Sequence, residues 1–160
     1  MQALAALSIA LLLLLITSCD FDSNSRDLGY DPRADAIADW HKALAEARGS
    51  KKRVLVIAGG PWCFFCRKLD SYLADNQDID TQLHQSFVVL KVYYGEDNHN
   101  DRFFAKLPPA RGYPHFWVLE GDGGAIFSDG ISIDREFFLA FIKQYDGSQP
   151  AGGLQPVSWD

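Results

Sequence analysis

Hydrophobic and polar positions follow two patterns along the chain, each typical of one kind of secondary structure. Short runs of β-branched and aromatic residues, "VLVIA" and "SFVVLKVYY", predict two buried strands. Two more strand candidates, "PHFWVLE" and "GAIFSDG", flank a glycine-rich hairpin turn. Helical spacing of apolar residues marks three other segments, represented by Ile37, Trp40 and Leu44, by Phe65, Leu69 and Leu73, and by Phe138, Phe141 and Ile142.

The order of these segments predicts the class of fold. A strand–helix–strand crossover comes first, then a short helix over "RFFAKL", and then a hairpin followed by a helix. This order is typical of an α/β domain built on a mixed sheet. We assign residues 34–146 to this domain, residues 19–33 to a polar tether, and residues 147–160 to a loose tail rich in Gly, Pro and Ser.

The first 18 residues contain no charged side chain and include the apolar run "LLLLLI". The apolar stretch is shorter than the ~20 residues that a membrane-spanning helix needs, and it suits the core of a signal peptide. It ends in "ITSC", which resembles the bacterial lipobox. That resemblance implies removal of residues 1–18 and a lipid on Cys19, which would anchor the domain in the bacterial cell envelope, facing the periplasm or the exterior. The chain departs from the signal-peptide pattern in having no Lys or Arg before the apolar core. The alternative is an uncleaved anchor with an incidental cysteine.

Composition and charge narrow the possible partners. The chain has 48% hydrophobic residues and a net charge of −6, which suits a globular domain, and it has no basic patch, so we expect no nucleic-acid partner. The three cysteines are an odd number. If Cys19 carries a lipid, Cys63 and Cys66 remain as one intramolecular pair.

The motif "PWCFFC" follows the first predicted strand directly and opens a helix. A structural zinc site needs four ligands, and the histidines show no spacing that would complete one, so we expect no metal. A purely structural disulfide is the stronger alternative, although a loop of two residues removes little entropy from the unfolded chain. A redox role explains more. The helix N-terminus favours the thiolate of Cys63, and Cys66 lies one turn on, where we expect a buried resolving thiol behind an exposed attacking one.

The strand, "PWCFFC", the helix, the second strand and "GYPHFWVL" together resemble the thioredoxin superfamily, over roughly residues 50–146. The resemblance implies a thioredoxin-like fold with Cys63 as nucleophile, Cys66 as resolving cysteine and Pro114 as a cis-proline that leaves the Tyr113 backbone free to pair with a substrate. It implies a thiol–disulfide oxidoreductase acting on protein disulfides or dithiols. The redox-active disulfide would be its only redox group, with no other cofactor, and a membrane electron-transfer protein is a further candidate partner.

The chain departs from that pattern between the cysteines, where it carries two phenylalanines. We expect Phe65 in the core, and we expect Phe64 at the surface, where it would form a docking rim for substrates with Trp62, Tyr113 and His115. His115 has two further interpretations, as a group that tunes the thiolate or as an ordinary surface residue on a strand edge. A thioredoxin-fold binding or chaperone module, which docks partners on this rim without redox turnover, is the alternative function.

A second departure lies six residues before Cys63. The superfamily pattern has a buried acid there, and this chain has Ile57. Because isoleucine cannot accept a proton and apolar surroundings raise the pKa of a buried thiol, we expect mixed disulfides at Cys63 to resolve slowly. A Glu or His brought close by the fold would remove that expectation.

Overall fold

A computed structural model describes residues 29–148. The predicted signal peptide, Cys19 and most of the predicted tail lie outside the described residues. Within them, helices and strands follow one another as α1 (Ala36–Ser50), β1 (Arg53–Gly59), α2 (Phe64–Asp75), α3 (Gln77–Ser86), β2 (Phe87–Tyr93), α4 (Asp101–Phe104), β3 (His115–Leu119), β4 (Ala125–Asp129) and α5 (Arg135–Tyr145).

The four strands form one mixed sheet in the order β2-β1-β3-β4. Strand β1 is parallel to β2 and antiparallel to β3, and β3 and β4 form the predicted hairpin. All seven residues of β1 are buried, as its continuous apolar run predicts for a central strand covered on both faces. The predicted α/β class with a mixed sheet is therefore confirmed.

Each face of the sheet carries its own hydrophobic cluster, because successive side chains of a strand point to opposite faces. Val54, Val56 and Ala58 of β1 belong to a cluster that α1 covers. Leu55 and Ile57 belong to the other, which α2, α3 and α5 cover. The domain thus has three layers, with β1 in the middle and its carboxyl end, at Gly59, leading directly to the cysteine motif.

Helix α3 was not predicted from the sequence. Its residues "QDIDTQLHQS" include only two buried apolar side chains, Ile79 and Leu83, one turn apart. Such a short apolar stripe is a weak helical signal, and packing against the sheet supplies what local propensity does not. None of the helices within residues 29–148 is long and apolar enough to cross a membrane.

Candidate active site

Cys63 and Cys66 lie at the junction of β1 and α2 and form a disulfide, with their Cα atoms 5.2 Å apart. Cys63 is the N-cap residue of α2, and its Sγ accepts a hydrogen bond from the backbone N–H of Cys66 at 3.1 Å. The first turn of α2 contains no acidic residue. The unpaired N–H groups and the positive end of the helix dipole therefore favour a negative charge on Cys63 when the pair is reduced.

The two sulfurs differ in accessibility, but less than the sequence led us to expect. Cys66 is fully buried, as predicted from its place on the helix face of Leu69 and Leu73. Cys63, expected to be exposed, is only 5% exposed, because it packs in a small cluster with Tyr30, Tyr93 and Tyr113. Little of the Cys63 side chain is therefore open to solvent.

Large exposed side chains precede and separate the two cysteines along the chain. Trp62, Phe64 and Phe65 are each more than half exposed, so the prediction that Phe65 belongs to the core is wrong. The buried face of α2 is set by Cys66, Leu69 and Leu73, and Phe65 points instead into a cleft that it lines with residues of the neighbouring loops. We call the following five residues the aromatic rim: Trp62, Phe64, Phe65, Tyr113 and Pro114.

Several contacts fix one side of the aromatic rim. Trp62 Nε1 donates to the backbone oxygen of Tyr94 at 2.7 Å, and its ring lies edge-on to Tyr113, with 5.6 Å between ring centroids. Tyr113 in turn stacks on Tyr94, with centroids 5.0 Å apart. The Tyr113–Pro114 peptide bond is cis, as the resemblance implied. The rim therefore presents a largely preformed apolar surface beside Cys63.

His115 does not take part in this surface, contrary to the prediction that placed it on the rim or at an exposed strand edge. It is 1% exposed and lies against Trp117, with 4.4 Å between ring centroids. Its Nδ1 accepts from the Arg111 N–H at 3.4 Å, so its Nε2 carries the hydrogen that faces Ser128 Oγ at 3.1 Å. Burial lowers the pKa of His115, which keeps the ring neutral.

A polar group that the sequence analysis missed lies beneath the cysteines. Ile57 is buried, as expected, and Lys91 lies directly opposite it in the β1–β2 register. Lys91 Nζ contacts Asp70 Oδ1 of α2 at 2.5 Å and lies 5.3 Å from the centre of the Tyr30 ring. Asp70 follows Cys66 by four residues, a spacing that puts both on one helix face and was visible in the sequence. Tyr30 gave no such signal.

Within residues 29–148, no three His, Cys, Asp or Glu side chains come together in a way that could hold a metal ion. The expectation that the site uses no metal or organic cofactor stays a prediction. So do the roles of the rim residues in binding substrate.

Comparison with known proteins agrees with this architecture. A family model described as thioredoxin-like matches residues 35–121, more than half of the chain. The crystal structure of a disulphide isomerase from Xylella fastidiosa Temecula1 superposes with a TM-score of 0.64 at 27% sequence identity, covering 75% of this chain and 98% of that one. No curated protein sequence matches this chain significantly.

Proposed function

The chain belongs to the thioredoxin-like family, and from this premise we propose that it is a thiol–disulfide oxidoreductase that exchanges disulfides with protein substrates. One observation carries the proposal: Cys63 Sγ caps the N-terminus of α2, and the resolving sulfur of Cys66 lies buried directly behind it. A capping cysteine gains thiolate character from the helix, and the thiolate is the attacking form. A purely structural disulfide would not need this asymmetry.

The reaction has two exchanges. In the first, the Cys63 thiolate attacks a substrate disulfide, a Cys63–substrate bond forms, and one substrate sulfur leaves as a thiolate. In the second, the Cys66 thiolate attacks Cys63 Sγ, the Cys63–Cys66 bond forms, and the second substrate sulfur leaves. The enzyme dithiol thereby loses two electrons and the substrate disulfide gains them. The reverse sequence oxidises a substrate dithiol.

The aromatic rim supplies the binding surface in this proposal. Exposed apolar side chains beside a reactive sulfur suit substrates that present apolar residues next to their cysteines, as partly unfolded proteins do. An extended substrate segment would pair with the Tyr113 backbone, in the manner of an added strand. The 27% identity to a protein described as a disulphide isomerase supports protein disulfides as the substrate class.

The location is a separate part of the proposal. The "ITSC" sequence after a short apolar run supports a lipid on Cys19 and an anchor in the bacterial cell envelope, where disulfides persist. A membrane electron-transfer protein would then restore the redox state of the cysteine pair. The lipid anchor is supported by the sequence motif and is independent of the redox function of Cys63 and Cys66.

The test is the reduction potential of the Cys63–Cys66 pair, measured against glutathione on the chain from residue 20, together with reduction of insulin. We expect a reversible two-electron couple and turnover that is lost in Cys63→Ala. A pair that does not equilibrate with glutathione, in a protein that still binds unfolded polypeptides, would contradict the redox assignment and favour a binding module.

A further inference from the structure

Three polar side chains, those of Tyr30, Asp70 and Lys91, lie between α2, β2 and the segment before α1. Asp70 has a side chain only 9% exposed, and its Oδ1 is held by Lys91 Nζ at 2.5 Å. Its Oδ2 is buried and has no hydrogen-bond partner among the described residues. The hydroxyl of Tyr30, which is also buried, has none either. Unpaired buried oxygens are costly, so their presence beside a reactive site suggests a use for them.

This polar cluster of Tyr30, Asp70 and Lys91 adjoins the resolving cysteine. Tyr30 packs in one cluster with Cys63 and Cys66, and a Cβ placed on Gly59 would lie against Cys66 Sγ and 3.4 Å from the Tyr30 hydroxyl. The sulfur and the hydroxyl therefore face the same small space at the end of β1. Asp70 enters from the other side, one helical turn beyond Cys66 on the same face of α2.

The charges that face this space come from several elements. Asp70 comes from α2, Lys91 from β2 and Tyr30 from the segment before α1, while β1 contributes Ile57 and Gly59, which do not titrate. Tyr93 of β2 and Tyr113 are the other titratable side chains that pack with the cysteines. Asp70 and Lys91 also line an open cleft that continues along α3 past Asp80 and His84. The carboxylate thus has one buried oxygen, and it also borders a cleft that gives an accepted proton a path to solvent.

We propose that Asp70, held by Lys91, accepts the proton of Cys66 during release of the mixed disulfide and so replaces the acid that position 57 lacks. This inference rests on the proposed redox function. In the step, the Cys66 S–H bond breaks and its proton passes to the Asp70 carboxylate. The Cys66 thiolate attacks Cys63 Sγ, the Cys63–Cys66 bond forms, and the Cys63–substrate bond breaks. The substrate leaves as a thiolate, and Asp70 returns its proton to solvent through the cleft.

Tyr30 has a positioning role in the same step. Burial and the nearby Asp70 carboxylate raise the pKa of Tyr30 above its ordinary value, so its hydroxyl stays protonated over the working range of the enzyme. A protonated hydroxyl donates a hydrogen bond and does not compete as a base. In the proposed step it stabilises the Cys66 thiolate, with which it shares a hydrophobic cluster.

The experiment measures release of glutathione from a mixed disulfide preformed at Cys63, by single-turnover kinetics between about pH 6 and 9, a range around the ordinary thiol pKa of ~8.5. In the wild type we expect fast release with little dependence on pH. In Asp70→Asn, release near neutral pH should fall by about 10²-fold, the lower end for loss of a general base. The difference should shrink as pH rises, because Cys66 then ionises without help.

Three further variants separate proton transfer from a structural effect. Asp70→Glu should keep the flat pH profile, and Asp75→Asn, a neutral substitution at an exposed position of the same helix, should match the wild type. Tyr30→Phe should slow release while the rate of glutathione attack on the Cys63–Cys66 disulfide changes little. An Asp70→Asn profile that follows the wild type at every pH would overturn the inference and leave the redox function intact. A wild type that forms no mixed disulfide at all would instead overturn the redox function.

Discussion

The sulfur of Cys63 accepts a hydrogen bond from the backbone N–H of Cys66 at 3.1 Å, within the first turn of α2. The first cysteine is thus both the N-cap of a helix and one half of a disulfide. A cap that carries a negative charge is stabilised by the helix, whereas the thiolate of a buried cysteine further along is not. We therefore expect the thiolate of Cys63 to be more stable than the thiolate of Cys66.

The first prediction concerns the order in which the reduced thiols react. At about pH 6, below the ordinary thiol pKa of ~8.5, Cys63 should be alkylated at least about tenfold faster than Cys66, because the helix terminus favours its thiolate and Cys66 is buried. Mass spectrometry of partly alkylated protein gives the order. Cys66→Ala should accumulate mixed disulfides with substrates and Cys63→Ala should not. Faster alkylation of Cys66 would contradict this division of roles.

The second prediction concerns Gly59, where β1 passes close to Cys66. A Cβ added there would collide with Cys66 Sγ, which cannot move away because it is fully buried. Gly59→Ala should therefore lower the free energy of unfolding by about 1–3 kcal/mol, as overpacking does. It should also change the Cys63–Cys66 potential. Urea denaturation of the oxidised protein and glutathione titration measure the two effects.

Gly49→Ala is the matched control for this change. Gly49 lies near the end of α1, and an added Cβ would meet nothing within 4 Å. Because alanine is the better helix former, this variant should equal the wild type in stability or exceed it by up to about 1 kcal/mol. A Gly59→Ala protein as stable as the Gly49→Ala protein would show that the space beside Cys66 is not tight.

Much of this architecture could be predicted from the sequence, since its signals are local. A continuous β-branched run marks β1, a glycine-rich turn marks the β3–β4 hairpin, and "WCFFC" at a strand–helix junction marks the cysteine pair. The face of a single residue was harder to predict. Phe65 and Cys66 are neighbours in α2, and helical spacing relative to Leu69 and Leu73 was compatible with burial of either. In the folded domain Cys66 packs inward and Phe65 is exposed.

Long-range contacts could not be predicted in this way. Tyr30 lies in a polar segment with no periodicity, which we assigned to the tether, yet it packs against the cysteines as part of the folded unit. Asp70 and Lys91 are 21 positions apart and meet only because β2 lies parallel to β1 beneath α2. We expected a Glu or His to replace the missing acid if any group did, and the fold brings Asp70 close instead.

The third prediction follows from the neutral, buried His115. Its folded-state pKa is lowered by burial, so the unfolded chain binds a proton at a higher pH than the folded chain does. Above the unfolded-state pKa of about 6.5, His115 is neutral in both states and costs no stability. As pH falls below about 6.5, the unfolded chain takes up a proton first, so the free energy of unfolding decreases until the pH is below the folded-state pKa. His115→Gln keeps a donor and an acceptor but does not titrate. Its stability should fall less than that of the wild type between about pH 7 and 5. Parallel curves for the two proteins would contradict the lowered pKa.

The last prediction tests whether the aromatic rim binds substrate. Phe64 and Phe65 are 59% and 58% exposed, so they contribute little to folding and are available to a partner. Replacing both with serine should change the free energy of unfolding by no more than about 0.5 kcal/mol. If a phenylalanine is buried against the bound substrate, its contact is worth about 1.5–3 kcal/mol. Its loss should therefore lower kcat/KM for reduction of a protein disulfide by about tenfold or more. Turnover of glutathione disulfide, which has no large apolar side chain, should change little.

Phe137→Ser provides the control for a general loss of surface hydrophobicity. Phe137 is 56% exposed, like the two rim residues, but it lies on α5 and lines a different cleft, with Phe127 and Tyr145. Its replacement should leave kcat/KM unchanged for both the protein and the glutathione substrate. If Phe137→Ser reduces protein turnover as much as the rim variant does, substrates are held by diffuse hydrophobicity. If neither variant affects it, Cys63 recognises its disulfides without the rim, and the two phenylalanines between the cysteines serve another purpose.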